Sequence, residues 1–156
     1  LAWWPGKIPA NSVCSETAMT IDLLPTITKL IGAKLPGHKI DGKNIVPLLL
    51  KDDAKSPQKA YYFYYGNQLQ AVRQGKWKLH FPHGYRTMAG KPGGTGGIPT
   101  NYSQAKIELS LYDLEKDIGE SKDLKVDFPK VVKNLTMLGK QFDEKLKKTK
   151  RPAGKI

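Results

Sequence analysis

Apolar residues recur along this chain with two different periods, and each period predicts a different kind of element. Helical spacing predicts a first helix between Asp22, a plausible cap, and Gly32, a stop. The same spacing predicts a second helix over residues 129–148, with Pro129 in its first turn. The apolar stripe of the first helix consists of Leu23, Leu24, Ile27, Leu30 and Ile31, and that of the second of Phe128, Val131, Val132, Leu135, Leu138 and Phe142.

A period of two between the helices predicts a small antiparallel sheet of about four strands. On the central strand, alternation places Lys76, Lys78 and His80 on the face opposite Trp77, Leu79 and Phe81. Gln74-Gly75 is typical of a tight hairpin turn. The aromatic run at 61–65 is explained by packing in a strand, although alternate rings could also stack on sugars or bases. The predicted strands lie within residues 61–65, 69–73, 76–81 and 108–113.

Glycine and proline mark the predicted boundaries of the fold. Residues 3–9 are typical of the end of a strand running into a loop, and residues 33–59 of a connector. Residues 84–104, rich in Gly and Pro, predict one long loop. We therefore expect an α+β layout with a first part at 1–59 and a second part at 60–156, in which the final helix covers the sheet.

Composition and charge narrow the class of protein further. The chain has 156 residues and 39% hydrophobic residues, enough for a real core without disulfides, and its single cysteine, Cys14, cannot form an internal one. No apolar run approaches the ~20 residues that span a bilayer. The net charge is +12, and residues 122–156 carry 11 Lys and Arg against 4 Asp and Glu. A basic balance of this kind favours anionic partners, although a solvated lysine-rich helix face explains it as well.

A self-contained active site is not predicted. The chain lacks a phosphate-binding glycine loop, a G-x-S-x-G elbow, an H-E-x-x-H pair and a C-x-x-C pair. Three histidines and one cysteine lie too far apart in sequence to indicate a zinc site. We expect no catalytic residue and no metal ligand in these residues.

One cluster of cationic and aromatic side chains is suited to bind an oxyanion. His80, His83 and Arg86, with Tyr85 and Lys78 as weaker candidates, lie on or just beyond the strand that enters the long loop. Imidazole and guanidinium groups form short, directional hydrogen bonds to sulfate or phosphate. The alternative is an ordinary exposed polar strand face.

The order of several short segments resembles the C-terminal portion of the formylglycine-dependent sulfatases, the arylsulfatase family related to alkaline phosphatases. The match runs in register across residues 3–142, with Ile118 where the family usually has Pro and Asp123 where Asn is common. The segments that carry it are WPGKIPA at 4–10, IDLLPT at 21–26, DGKNIVPLL at 41–49, AVRQGKWKLHF at 71–81, and LYDLEKD at 111–117 followed by Gly119 and Glu120.

The resemblance implies that this chain is one part of a larger enzyme. Residues 1–59 would be the last strand and helix of the catalytic α/β domain, and residues 60–156 the C-terminal subdomain. The family's calcium ion and its formylglycine, encoded by C-x-P-S-R or S-x-P-x-R, would belong to an N-terminal domain. Neither pattern occurs here, since Cys14 is followed by Ser15, Glu16 and Thr17. We therefore expect this portion alone to be inactive.

By the same resemblance, the whole protein would hydrolyse a sulfate ester of an aryl or carbohydrate substrate, in the periplasm or outside the cell. His83, His80, Arg86, Tyr85 and Lys78 would face the substrate, and nucleic acid is not an expected partner. Two alternatives stay open: a phosphonate or phosphate monoesterase of the same superfamily, and a stand-alone polyanion-binding module whose affinity falls steeply with salt.

Overall fold

The computed structural model describes residues 1–150, which divide into two compact units, Leu1–Lys59 and a second unit that starts at Ala60. The first unit contains helices α1 (Leu23–Ile31) and α2 (Val46–Leu50). The second contains six strands followed by helix α3 (Pro129–Thr149). The strands are β1 (Tyr61–Tyr65), β2 (Gln68–Gln74), β3 (Trp77–His80), β4 (His83–Thr87), β5 (Ser103–Ile107) and β6 (Ser110–Asp113).

Helix α1 forms where the apolar spacing predicts it, and it ends as predicted at Gly32. Gly32 has a φ of 70°, a left-handed conformation that glycine adopts without steric cost. The strand end expected at residues 3–9 is not formed, and these residues are coil and turn. A strand needs a hydrogen-bonded neighbour, and the part of the first unit that the structure describes provides none.

A buried carboxylate organises the first unit. The side chain of Asp22 is fully buried. Its Oδ2 accepts a hydrogen bond from the backbone N–H of Met19 at 3.1 Å, and its Oδ1 accepts from the backbone N–H of Lys43 and from Nε2 of Gln58, each at 2.8 Å. Asp22 therefore joins the start of α1 to two distant segments of the connector.

The apolar stripe of α1 points to solvent rather than into the first unit. Leu23, Ile27 and Ile31 are 51%, 53% and 71% exposed, whereas Thr26 and Thr28 on the polar face are buried. An amphipathic helix normally buries its apolar stripe. In α1 the polar face is buried within the unit and the apolar stripe is exposed. Contiguous exposed apolar surface of this kind marks an interaction site.

The second unit is built on a four-stranded antiparallel sheet in the order β1-β2-β3-β6. Leu79 of β3 pairs with Val72 of β2 on one side and with Leu111 of β6 on the other. These three side chains are fully buried, and with Leu135 of α3 they form the core. The predicted sheet of about four strands covered by the C-terminal helix is thus confirmed.

Helix α3 approaches the sheet closely because a glycine lies at the contact. A Cβ atom added at Gly139 would lie 2.7 Å from the ring of Phe81 and 2.9 Å from a methyl group of Val72. The aromatic run of β1 uses the same face, where Tyr62 stacks on Phe142 with ring centroids 3.7 Å apart. Packing thus explains the alternate rings of β1 that face α3. Among residues 1–150, no helix is both long and apolar enough to cross a lipid bilayer.

The long loop expected at residues 84–104 is shorter than predicted, because both of its flanks form strands. β4 and β5 pair in an antiparallel two-stranded ribbon, in which Tyr85 lies opposite Ala105 and Arg86 opposite Gln104. The ribbon contains Gly84, Ala105 and Lys106, which have low strand propensity. The pairing comes from backbone hydrogen bonds between segments that are distant in sequence.

Substitution Gly139→Val tests the contact between α3 and the sheet. Valine has a higher helix propensity than glycine, but its side chain would collide with Phe81 and Val72. We expect it to lower the free energy of unfolding by about 1–3 kcal/mol, the usual cost of overpacking a core. Urea denaturation measures this loss. Lys140→Val, at the neighbouring exposed position of α3, is the control and should change stability by no more than about 0.5 kcal/mol.

Candidate functional site

The five residues predicted to bind an anion lie on two successive strands of the second unit. Lys78 and His80 belong to β3, and His83, Tyr85 and Arg86 belong to β4. As predicted, Lys78 and His80 lie on the face of β3 opposite Leu79, which is buried in the core. The structure divides the five residues into two groups with different surroundings.

Lys78 and His80 share one carboxylate. Nζ of Lys78 lies 2.5 Å from Oε1 of Glu120, and Nε2 of His80 lies 2.7 Å from Oε2. All three side chains are at most one-quarter exposed. Lys78 and His80 therefore have a protein partner already, and an incoming anion would have to replace it.

Burial makes His80 the neutral member of this group. Desolvation lowers its pKa from the ordinary value of 6.5, the positive charge of Lys78 acts in the same direction, and Glu120 opposes both. Because a carboxylate only accepts, the neutral ring donates from Nε2, and Nδ1 is buried without a hydrogen-bond partner among the described residues. The folded protein favours the neutral ring of His80. The contribution of this preference to folding stability is complete above pH 6.5, the ordinary pKa, and is lost as the pH falls toward the lowered pKa of His80.

Glu120 reaches β3 from a turn with an unusual backbone. Its φ is 54°, a left-handed conformation that costs a non-glycine residue about 1–2 kcal/mol. Asp117 holds the turn, since its Oδ2 accepts hydrogen bonds from the backbone N–H groups of Ser121 at 2.7 Å and Lys122 at 2.9 Å. The bond from Lys122 is the main cause of a lowered pKa at Asp117. The ion pair with Lys78 and the hydrogen bond from His80 hold Glu120 in this conformation.

His83 connects this ionic group to β4. Its Nδ1 donates a hydrogen bond to the carbonyl oxygen of Phe81 at 2.7 Å. The ring stacks on His80 with centroids 5.5 Å apart and meets Tyr85 edge-on at 6.3 Å. His83 is thus the histidine of this cluster that is free of an acidic partner in residues 1–150.

A cavity of about 210 Å³ lies beside β4, and we call it the Arg86 cavity. The Arg86 guanidinium lies 5.5 Å from the centroid of the Tyr102 ring, and none of the described carboxylates forms an ion pair with it. Arg86 therefore keeps its hydrogen-bond donors for another group. The cavity is lined by Tyr65, Gln70, Gly84, Tyr85, Arg86 and Gln104.

Sequence reasoning missed three residues of this region. Glu120 follows Lys78 by 42 positions, and only the ion pair itself shows that they meet. Gln104 reaches the cavity because β5 pairs with β4, which was expected to be loop. Gln70 lies at an irregularity in the pairing of β1 with β2, and regular alternation gives no sign of it.

Residues 1–150 do not provide the parts of a metal centre. They contain no group of three or more His, Cys, Asp or Glu side chains placed to hold a metal ion. Cys14 is exposed. The polar groups beside β4 include a guanidinium, an imidazole and two amides.

Two family models match the chain and together cover all of it. The C-terminal region of aryl-sulfatase matches residues 56–156, and the C-terminal region of N-sulphoglucosamine sulphohydrolase matches residues 1–84. The chain belongs to the sulfatase family. The resemblance stated from the sequence is confirmed, including its restriction to the C-terminal part of these proteins.

Individual sulfatases agree with this placement. Human arylsulfatase A is 39% identical over 133 residues, which are 80% of this chain and 25% of that protein. Pig N-acetylgalactosamine-6-sulfatase is 27% identical over 94% of the chain and 30% of its own length. The crystal structure of the PsFucS1 sulfatase from Pseudoalteromonas sp. has a TM-score of 0.63 at 21% identity and matches 86% of this chain and 26% of its own. The chain thus spans about a quarter to a third of the length of these sulfatases.

Two of the segments that resemble sulfatases are joined by side-chain hydrogen bonds. In the segment at 21–26, Asp22 accepts from the backbone N–H of Lys43, and Oγ1 of Thr26 accepts from that of Ile45 at 2.9 Å. Both donors belong to the segment at 41–49. Asp22 and Thr26 of the segment at 21–26 therefore fix the backbone position of the segment at 41–49.

Substitution Glu120→Gln tests the ionic group of this sulfatase chain. Glu120 raises the pKa of His80 by its charge and its hydrogen bond, so its neutral replacement should lower that pKa further. An NMR titration of the His80 ring protons measures the change. Glu115→Gln, which removes an exposed carboxylate from the chain after β6, is the control and should leave the His80 pKa unchanged. An unaltered pKa in Glu120→Gln would contradict the described pairing.

Proposed function

We propose that this chain is the C-terminal portion of a sulfuric ester hydrolase that cleaves aryl or carbohydrate sulfates. The match of two sulfatase family models across the whole chain carries this proposal. Relatives named for aryl and for N-acetylgalactosamine sulfates support both substrate classes. Action in the periplasm or outside the cell is part of the proposal and rests on family resemblance alone.

The reactive groups of such an enzyme would come from a part of the protein outside these 156 residues. The C-x-P-S-R and S-x-P-x-R patterns that encode formylglycine do not occur in the chain. The described residues also do not fit a calcium site, because they contain no group of three or more His, Cys, Asp or Glu side chains that could hold a metal ion. We therefore assign no chemical step to this chain and expect no turnover by it alone.

Residues 1–59, in this proposal, complete the edge of the catalytic α/β domain. The exposed apolar stripe of α1 supports this assignment, because the polar face of the same helix is already buried around Asp22 and Thr26. An N-terminal domain of the same protein would cover Leu23, Ile27 and the rest of the stripe. Burial of the stripe would stabilise the contact between α1 and the N-terminal domain by removing apolar surface from water.

Residues 60–156 would contribute to the substrate cleft. His83, Tyr85 and Arg86 are the residues we assign to substrate contact, because none of them pairs with a carboxylate of residues 1–150. Lys78 and His80, which the sequence also suggested, are bound to Glu120. We assign them the supporting role of holding β3 and the turn at Glu120 in place for β4.

Activity of the complete polypeptide that contains this chain tests the proposal. We expect release of sulfate from 4-nitrocatechol sulfate or from N-acetylgalactosamine 6-sulfate, with a kcat in the usual enzyme range of about 1–1,000 per second. The 156-residue chain alone is the control and should release none. Faster hydrolysis of the corresponding phosphate ester would instead favour a phosphate or phosphonate monoesterase.

Substitution Ile27→Ser in the complete polypeptide tests the covering of α1. If the stripe is buried there, we expect a loss of about 2 kcal/mol or more in the free energy of unfolding, as for other truncations of buried isoleucine. Lys29→Ser on the same helix is the control and should cost no more than about 0.5 kcal/mol. Equal effects of the two substitutions would show that the stripe stays exposed.

A further inference from the structure

The lining of the Arg86 cavity has the composition of a site for an anionic sugar. It contains one cation, two side-chain amides and two tyrosine rings, and no acidic residue. Amides both donate and accept hydrogen bonds, as sugar hydroxyls do, and a guanidinium binds sulfate or carboxylate through two parallel bonds. Tyr65 and Tyr85 are 70% and 43% exposed, which is unusual for large aromatic rings and leaves their surfaces available for stacking.

A break in strand pairing brings one of the amides to this cavity. Phe63 pairs with Ala71 while Tyr64 pairs with Leu69, so Gln70 is an extra residue with no direct partner on β1. Such bulges redirect a side chain and are frequent next to functional sites. The backbone carbonyl oxygen of Gln70 still accepts a hydrogen bond from Phe81 at 2.9 Å. The bulge is therefore fixed, and Gln70 has a stable position in the wall of the cavity.

Arg86 differs from Lys76 and Lys78 in having no acidic partner in the described chain. Lys76 pairs with Asp113 at 2.8 Å, and Lys78 pairs with Glu120. The ring of Tyr102 supports the guanidinium from one side and contributes no negative group. A negative group of a ligand would give Arg86 the pairing that Lys76 and Lys78 obtain within the protein.

The size of the cavity limits the ligand. A volume of about 210 Å³ is below the range of about 300–1,000 Å³ that is usual for drug-sized ligands. One pyranose unit with its charged substituent is of this size, whereas an extended oligosaccharide would have to continue beyond the cavity.

We propose that the Arg86 cavity binds one anionic sugar unit, with its sulfate or carboxylate on Arg86 and its hydroxyls on Gln70 and Gln104. That this unit belongs to the substrate rests on the proposed sulfatase function. In that case the substrate is a charged carbohydrate rather than a simple aryl sulfate. Sugar hydroxyls can donate to and accept from both amides, whereas an aryl group without hydroxyls offers them no hydrogen bond.

Ligand binding to the complete polypeptide tests this site separately from activity. Isothermal titration would use glucuronate and glucose 6-sulfate as probes, with neutral glucose and inorganic sulfate as comparisons. We expect at least one charged sugar to bind ten or more times more tightly than glucose and inorganic sulfate. We expect Arg86→Gln to weaken that binding at least tenfold, and Arg86→Lys to weaken it less because the charge is kept.

Lys106→Gln is the matched control, since it removes one exposed positive charge from the same ribbon outside the cavity. It should change the dissociation constant by less than twofold. Equal weakening by Lys106→Gln and Arg86→Gln would overturn the site, as would charged sugars that bind no better than glucose or inorganic sulfate. Sulfatase activity of the unaltered polypeptide is scored independently, so an Arg86-dependent sugar site without activity would leave this inference standing and refute the proposed function.

Discussion

Burial of the apolar face of α3 against one side of the sheet is the interaction on which the second unit depends. Val72, Leu79 and Leu111 lie on three adjacent strands and meet Leu135 of the helix. Alternation along the same strands then directs polar side chains to the opposite face. Lys78, His80 and their partner Glu120 are found there because the other face is occupied.

The first unit is organised by a different kind of force. The buried carboxylate of Asp22 collects two backbone N–H groups and one side-chain amide, and buried charge is tolerated only when it is bonded in this way. Its helix leaves Leu23 and Ile27 in water. The interior of this unit combines these polar groups with buried Ile45 and Leu48, and the exposed stripe of α1 is the feature on which the proposed contact with another domain rests.

Local sequence patterns predicted the elements whose formation depends on neighbouring residues. They did not predict the strands and side-chain contacts that depend on residues distant in sequence. Helix α3 and the alternation around Leu79 follow from residues that are neighbours in sequence. The β4–β5 ribbon was missed because Gly84 and its surroundings favour a loop unless a partner strand is present. Glu120 was not predicted as a partner of Lys78, since its position depends on a left-handed residue in a turn. The resemblance to sulfatases identified the family, but it did not reveal the bulge at Gln70.

The ribbon that carries Tyr85 and Arg86 is a separate two-stranded sheet, and the core side chains lie on the four-stranded sheet and α3. A change of side chain at Arg86 or Gln104 therefore leaves the packing around Leu79 untouched. In the proposed sugar site, the residues of the ribbon can thus change without altering the core, whereas Gln70 lies on β2 of the core sheet. Variation in the preference of the proposed site is therefore expected first at positions of the ribbon, because substitutions there do not lower the stability of the core.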